Sequence, residues 1–182
     1  MIVYLIRHGK TVANERHLYC GSTDLPLSEN GREELRRLRY SMNNVRFVTS
    51  GMKRTNETLC ILFGNLPYVV EPRFREMDFG VFEMHSYAEL RDWPTYRRWI
   101  AGDNASNVPP EGESGAQMTE RALQAFSELR EDTCIITHGG VIAAIMAHLF
   151  PKESKNRYEW QPSCGKGYRL TVDSTTIQYE SI

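Results

Sequence analysis

Met1-Ile2-Val3-Tyr4-Leu5-Ile6-Arg7-His8-Gly9-Lys10 is the stretch from which the fold is read. Ile2 to Ile6 form an unbroken apolar run, the pattern of a strand buried on both faces. The run stops at Arg7 and His8, and Gly9 lets the backbone turn sharply. Open α/β sheets present groups to ligands at the carboxyl ends of such strands. Taken alone, the pair could equally be a strand cap.

A near copy follows much later. Cys134 to Thr137 read as a second buried strand, His138 ends it, and Gly139-Gly140 release the chain into an apolar helix over 141–150. In a parallel sheet the carboxyl ends share one edge, so neighbouring strands would bring His8 and His138 to one crevice. Between these units, Val45 to Thr49 is a β-like run ending in Ser50-Gly51, before a helical segment that carries Lys53 and Arg54 and that Gly64 can stop. A helix amino terminus beside an arginine is a ready anion site.

The intervening sequence supplies loops and amphipathic helices. Lys10 to Asn14 could open a short helix, and residues 19–26 are dense in turn formers. Ser28 is placed to cap a helix over 29–42 with Leu35, Leu38 and Met42 on one stripe. Residues 68–71 suggest a short strand. The loop 72–83, PRFREMDFGVFE, mixes acids with phenylalanines, a setting that can enclose a carboxylate and keep it protonated. Glu76 is the candidate acid, with Asp78 and Glu83 as alternatives. Residues 86–101 read as a helix broken near Pro94, residues 102–112 as a mobile rim, and 114–130 as a helix capped by Ser114. The tail from Lys166 alternates as a hairpin at the sheet edge. His148 falls inside the last helix as a packed residue, and His17 and His85 lie in polar loops.

The chain has 182 residues, a size that fits one domain, and a formal net charge of −1. It has no basic tract, which points away from nucleic acid and anionic membrane and toward a small-molecule partner. No apolar run reaches membrane-spanning length, and Arg7-His8 interrupt the first one too early for a signal peptide, so a soluble cytoplasmic protein is expected. The four cysteines, Cys20, Cys60, Cys134 and Cys164, lie far apart and read as free thiols.

Gathered at one sheet edge, Arg7, His8, Arg54 and His138, with Glu76 from its loop, would make a strongly cationic pocket. Guanidinium forks suit phosphoryl oxygens, and their fixed charges repel a divalent cation. One histidine can then act as nucleophile while the other and the arginines stabilise the transferring group.

These residues also carry a resemblance. Arg7-His8-Gly9 with Thr11 and Asn14, the loop Gly21-Ser22-Thr23-Asp24-Leu25-Pro26-Leu27-Ser28 with Gly31, Ser50-Gly51-Met52-Lys53-Arg54, Arg75-Glu76-Met77-Asp78-Phe79-Gly80, Glu111-Gly112-Glu113-Ser114 and Thr137-His138-Gly139-Gly140 together resemble the histidine phosphatase superfamily, the phosphoglycerate mutase-like proteins. The resemblance spans nearly the whole chain. It implies a three-layer α/β/α sandwich around a mostly parallel central sheet. It makes His8 the phosphorylated residue, Glu76 the proton donor and then base, and Arg7, Arg54 and His138 the phosphate pocket. Asn14, Ser22, Thr23 and Gly139 would line that pocket, with no metal and no cofactor. Two positions depart from the pattern: Lys10 replaces the usual Glu or Gln after the triplet, and Met84 stands after Glu83 where glycine is common.

The short chain leans toward a phosphatase over a mutase, and the turn-rich loop is similar to that of α-ribazole-phosphate phosphatases. The expected partner is a small phosphorylated metabolite, without nucleic acid or membrane, and a homodimer is left open. The alternatives are a phosphoglycerate mutase-type phosphotransferase, a metal-dependent hydrolase on His8, His138, Glu76 and Asp78, and a non-catalytic phosphoester-binding module.

Overall fold

In the computed structural model, which describes residues 1–42, 44–102 and 105–182, the opening apolar run becomes β1 (Ile2–Arg7) near the centre of a six-stranded sheet. The other strands are β2 (Arg46–Thr49), β3 (Val69–Val70), β4 (Thr133–Thr137), β5 (Gly167–Val172) and β6 (Ile177–Ser181), in the order β3-β2-β4-β1-β5-β6. Strands β1 to β4 run parallel, and β5 and β6 add the antiparallel edge expected of the tail. Asp103 and Asn104, in the predicted rim loop 102–112, lie outside the described residues.

The register explains how the strands are covered on both faces. Leu5 pairs with Ile135, and Val48 pairs with that same residue from the other side. All three enter one cluster, with α6 (Gly115–Ser127) and α7 (Gly139–Leu149) packed over it through Met118, Ala122, Val141 and Ile145. Ile6, Cys134 and Ile136 point the other way, as the two-residue strand period demands, and meet Phe47 and Leu59. That face is covered by α2 (Glu29–Arg36) and α3 (Lys53–Phe63). The result is the three-layer sandwich with a mostly parallel sheet. All four cysteines are free, and no helix among the described residues is long and apolar enough to cross a membrane.

Helix α2 is shorter than the apolar spacing suggests. It ends at Arg36 instead of reaching residue 42: Leu38 N–H takes the Leu35 carbonyl in a tightened last turn, and Tyr40 and Met42 pack on the Phe47 cluster. The helix predicted over 86–101 does break at Pro94, into α4 (Tyr87–Leu90) and α5 (Pro94–Ile100). A four-residue helix, α1 (Val12–Glu15), follows the first triplet, capped by Thr11. Met84 sits at φ 61°, a conformation that suits glycine and costs a side-chain-bearing residue about 1 kcal/mol or more.

Candidate active site

The parallel pairing of β1 with β4 sets Arg7 opposite Thr137, so the residue after each strand, His8 and His138, emerges at the same edge. Their ring centroids are 5.1 Å apart at 63°. Both are buried: His8 is 5 % exposed and His138 fully enclosed. The amide of His8 donates to the Thr137 carbonyl at 2.9 Å, tying the two strand ends together.

The tautomer of His8 follows from the hydrogen bond at its Nδ1. Its Nδ1 lies 2.7 Å from the Gly9 carbonyl, an acceptor, so Nδ1 carries the proton and Nε2 keeps its lone pair. Burial, then the charges of Arg54 and Arg7, hold the imidazolium well below its ordinary range. The ring is therefore neutral at pH 7, with a nucleophilic nitrogen free.

Arg54, on the first turn of α3, is only 1 % exposed. Its Nη1 donates to the Thr23 carbonyl at 2.9 Å, its Nη2 to the Gly21 carbonyl at 2.7 Å, and its Nε to His138 Nδ1 at 3.3 Å. With Nδ1 accepting, His138 carries its proton on Nε2 and donates it to Ser50 Oγ at 2.8 Å. Burial and the Arg54 charge lower the pKa of this ring too. Arg7 donates through Nη1 to the Pro162 carbonyl at 2.9 Å, while its Nε is buried without a hydrogen-bond partner among the described residues.

Glu76 reaches the same place from its loop, though not in the apolar enclosure predicted for it. Its Oε2 accepts the Gly140 N–H at the amino terminus of α7 (2.9 Å), and its Oε1 accepts the Met77 N–H (3.0 Å). A Cβ on Gly140 would collide with this carboxylate, which is why a glycine serves there. Arg7, His8, Asn14, Glu76 and Gly140 line one cavity of about 370 Å³. Asn14 Oδ1 is taken by the Thr11 amide and hydroxyl, leaving its Nδ2 donor to the cavity.

Other predicted pocket residues sit elsewhere. Ser22 is outside the lining of this cavity; its hydroxyl donates to Asp78 at 2.9 Å, across a neighbouring depression that shares Glu76. Thr23 contributes its carbonyl, to Arg54, and not its side chain. Gly139 is buried behind the cavity, against Gln161 and the Arg7 guanidinium. Asp78 accepts from Gly80 N–H and Ser22, and Glu83 accepts the amides of Gly21, Ser22, Thr23 and Phe79, so both acids act as loop clamps. His85 bonds the Glu83 carbonyl outside the cavity.

One positioning residue escaped the sequence reading. Arg121 of α6 pairs with Glu113 and donates to the carbonyls of Arg73, Arg75 and Glu76, holding the loop that carries Glu76. A charged residue beside the apolar stripe of α6 was the available signal. Among the described residues no cluster of three or more His, Cys, Asp or Glu side chains is arranged to hold a metal ion.

Known proteins resemble this chain along most of its length. The adenosylcobalamin/alpha-ribazole phosphatase of Escherichia coli is 29% identical over 98% of this chain and 94% of its own length. A protein of Yersinia enterocolitica named probable phosphoglycerate mutase GpmB is 31% identical over 81% of this chain and 74% of its own. A solved Escherichia coli structure superposes with a TM-score of 0.89 over 100% of this chain and 95% of that one, at 23% identity, a likeness of fold. The profile of one family matches residues 3–181, and the chain accordingly belongs to the histidine phosphatase superfamily (branch 1).

Proposed function

We propose that this chain hydrolyses a phosphate monoester of a small metabolite in two steps through a phosphohistidine on His8, with α-ribazole 5′-phosphate as its substrate. The observation that carries the reading is the state of His8: a neutral imidazole, its Nδ1–H spent on the Gly9 carbonyl, facing a cavity that Arg7 also lines, with the Arg54 charge close behind.

In the first step the Nε2 lone pair of His8 attacks phosphorus and the bond to the leaving oxygen breaks. Glu76, in its protonated form, gives that oxygen its proton. Arg7 and Arg54 balance the charge on the equatorial oxygens, and the unpartnered Arg7 Nε and the Asn14 amide supply donors. In the second step the Glu76 carboxylate takes a proton from water as the water oxygen attacks phosphorus. The electron pair of the P–N bond returns to Nε2, and inorganic phosphate departs. Each step balances on side chains and water alone. The choice of alcohol rests on the relatives named for α-ribazole and on the aromatic wall of Tyr19, Phe79 and Trp99, which suits a flat ring.

Turnover of 4-nitrophenyl phosphate tests the class. His8→Ala is expected to lose at least ~10³-fold in kcat; a variant that keeps most of its rate contradicts the assignment of the nucleophile. Among natural monoesters ranked by kcat/KM, α-ribazole 5′-phosphate should lead, and a higher value for 3-phosphoglycerate would overturn the substrate.

A further inference from the structure

The cavity is lined beyond His8 and Arg7 by two polar groups that have no acceptor among the described residues. Trp99, on α5, lines the cavity and is 9 % exposed, yet its indole Nε1–H is buried without a hydrogen-bond partner among the described residues. Arg157 lines the same cavity, half-buried, and its guanidinium makes no hydrogen bond or ion pair among the described residues. A buried donor left unmatched costs about 1–3 kcal/mol, so such groups are rarely idle.

Both groups are held where they are. Trp99 packs edge-on against Tyr19 and Phe79, and its carbonyl accepts from Asn107. Arg157 opens a turn of 3₁₀ helix, Arg157–Trp160, capped by Asn156 and anchored by Trp160, which is 1 % exposed among Phe150, Tyr168 and Tyr179. Gly115 makes the room: a Cβ there would lie 2.9 Å from Arg157 Nη1. The guanidinium thus lies over the bare backbone of Gly115, on an anchored turn, with donors and no acceptors of its own.

We propose that Trp99 and Arg157 form a donor-only subsite that takes oxygen acceptors, hydroxyl or carboxylate, on the leaving alcohol, and so select which phosphate monoester is cleaved. This rests on the phosphohydrolase reading and narrows its substrates to alcohols that combine an apolar or aromatic body, against Tyr19 and Phe79, with oxygens placed away from the scissile phosphate. Neither residue touches the transferring phosphoryl group; both act on binding of the leaving half.

The test compares kcat/KM on three esters: phenyl phosphate, which lacks a second acceptor, 4-carboxyphenyl phosphate and α-ribazole 5′-phosphate. Trp99→Phe keeps an aromatic face, on a smaller ring, and deletes the N–H; Arg157→Met keeps the stem and deletes the fork. For each variant the ratio of an acceptor-bearing ester to phenyl phosphate should fall about tenfold, chiefly through KM. The ester whose ratio falls further tells whether carboxylate or sugar hydroxyl is the acceptor. Ratios unchanged on both esters, in variants that melt like the wild type, overturn the subsite. Failure of the underlying reading looks different: wild type and His8→Ala would then turn over phenyl phosphate equally.

Discussion

His8 lines the floor of the cavity, and His138 and Arg54 are buried behind it; the ends of β1 and β4 and the start of α3 decide where these three stand. The rim of the cavity is drawn from the loops 19–26 and 72–83 and the turn at Arg157–Trp160, which have no ladder; there, Glu83 gathers four loop amides and Arg121 gathers three loop carbonyls. The two imidazoles are placed by strand ends, whereas the loops around them are placed by side-chain clamps, with Arg54 bonded to the loop carbonyls of Gly21 and Thr23.

Arg54 joins the two regions, and its replacement should have the largest effect. Arg54→Met removes a charge beside His8 and strands the Gly21 and Thr23 carbonyls. We expect kcat/KM to fall ~10³-fold and stability to fall by about 2–4 kcal/mol, read from ester kinetics and denaturant unfolding. Lost activity with unchanged stability would separate floor from rim.

Glu76 comes next because it is a rim residue asked to do chemistry. Glu76→Gln should cost ~10²–10³-fold on an alkyl phosphate, whose leaving oxygen needs a proton, and less than about tenfold on 4-nitrophenyl phosphate, whose leaving group does not. Equal losses on both would remove Glu76 from the acid role.

The smallest effect concerns pH. Burial first, then Arg54, hold the folded pKa values of His8 and His138 well below 6.5. The unfolded chain therefore binds these protons first, and stability declines as pH falls below about 6.5. The His8 ring stays neutral below that pH as well, so the acid limb of activity expected from the proposed nucleophile lies below pH 6.5. Arg7→Met removes one lowering charge from both rings, and nitrogen NMR of the imidazoles should show their titrations move to higher pH. A downward move would contradict the cationic floor.

The same division governs what the sequence reveals. Buried runs that end in His-Gly announce β1 and β4, and the parallel register then brings His8 to His138, because strand geometry leaves few alternatives. Arg54 is legible for the same reason, at the start of a helix that follows a strand. The rim is not legible in this way. Nothing in the spacing of Ser22 shows that its hydroxyl turns to Asp78, or that Thr23 serves through its carbonyl. The setting of Glu76 is not legible from its neighbours in sequence, which include phenylalanines, because its neighbours in space are the amides of Met77 and Gly140. Helix α2 stops at Arg36 although the apolar stripe continues, and Tyr40 and Met42 find their partners on the Phe47 cluster outside the helix.

The central claim is that phosphate passes through His8. Mixing enzyme with excess 4-nitrophenyl phosphate, quenching within one turnover in alkali, where phosphohistidine survives, and mapping the adduct by mass spectrometry tests it directly. The account predicts one phosphoryl group on His8, formed at least as fast as turnover and absent from His8→Ala. Turnover without a trapped phosphoryl group, or with the group on another residue, would contradict it.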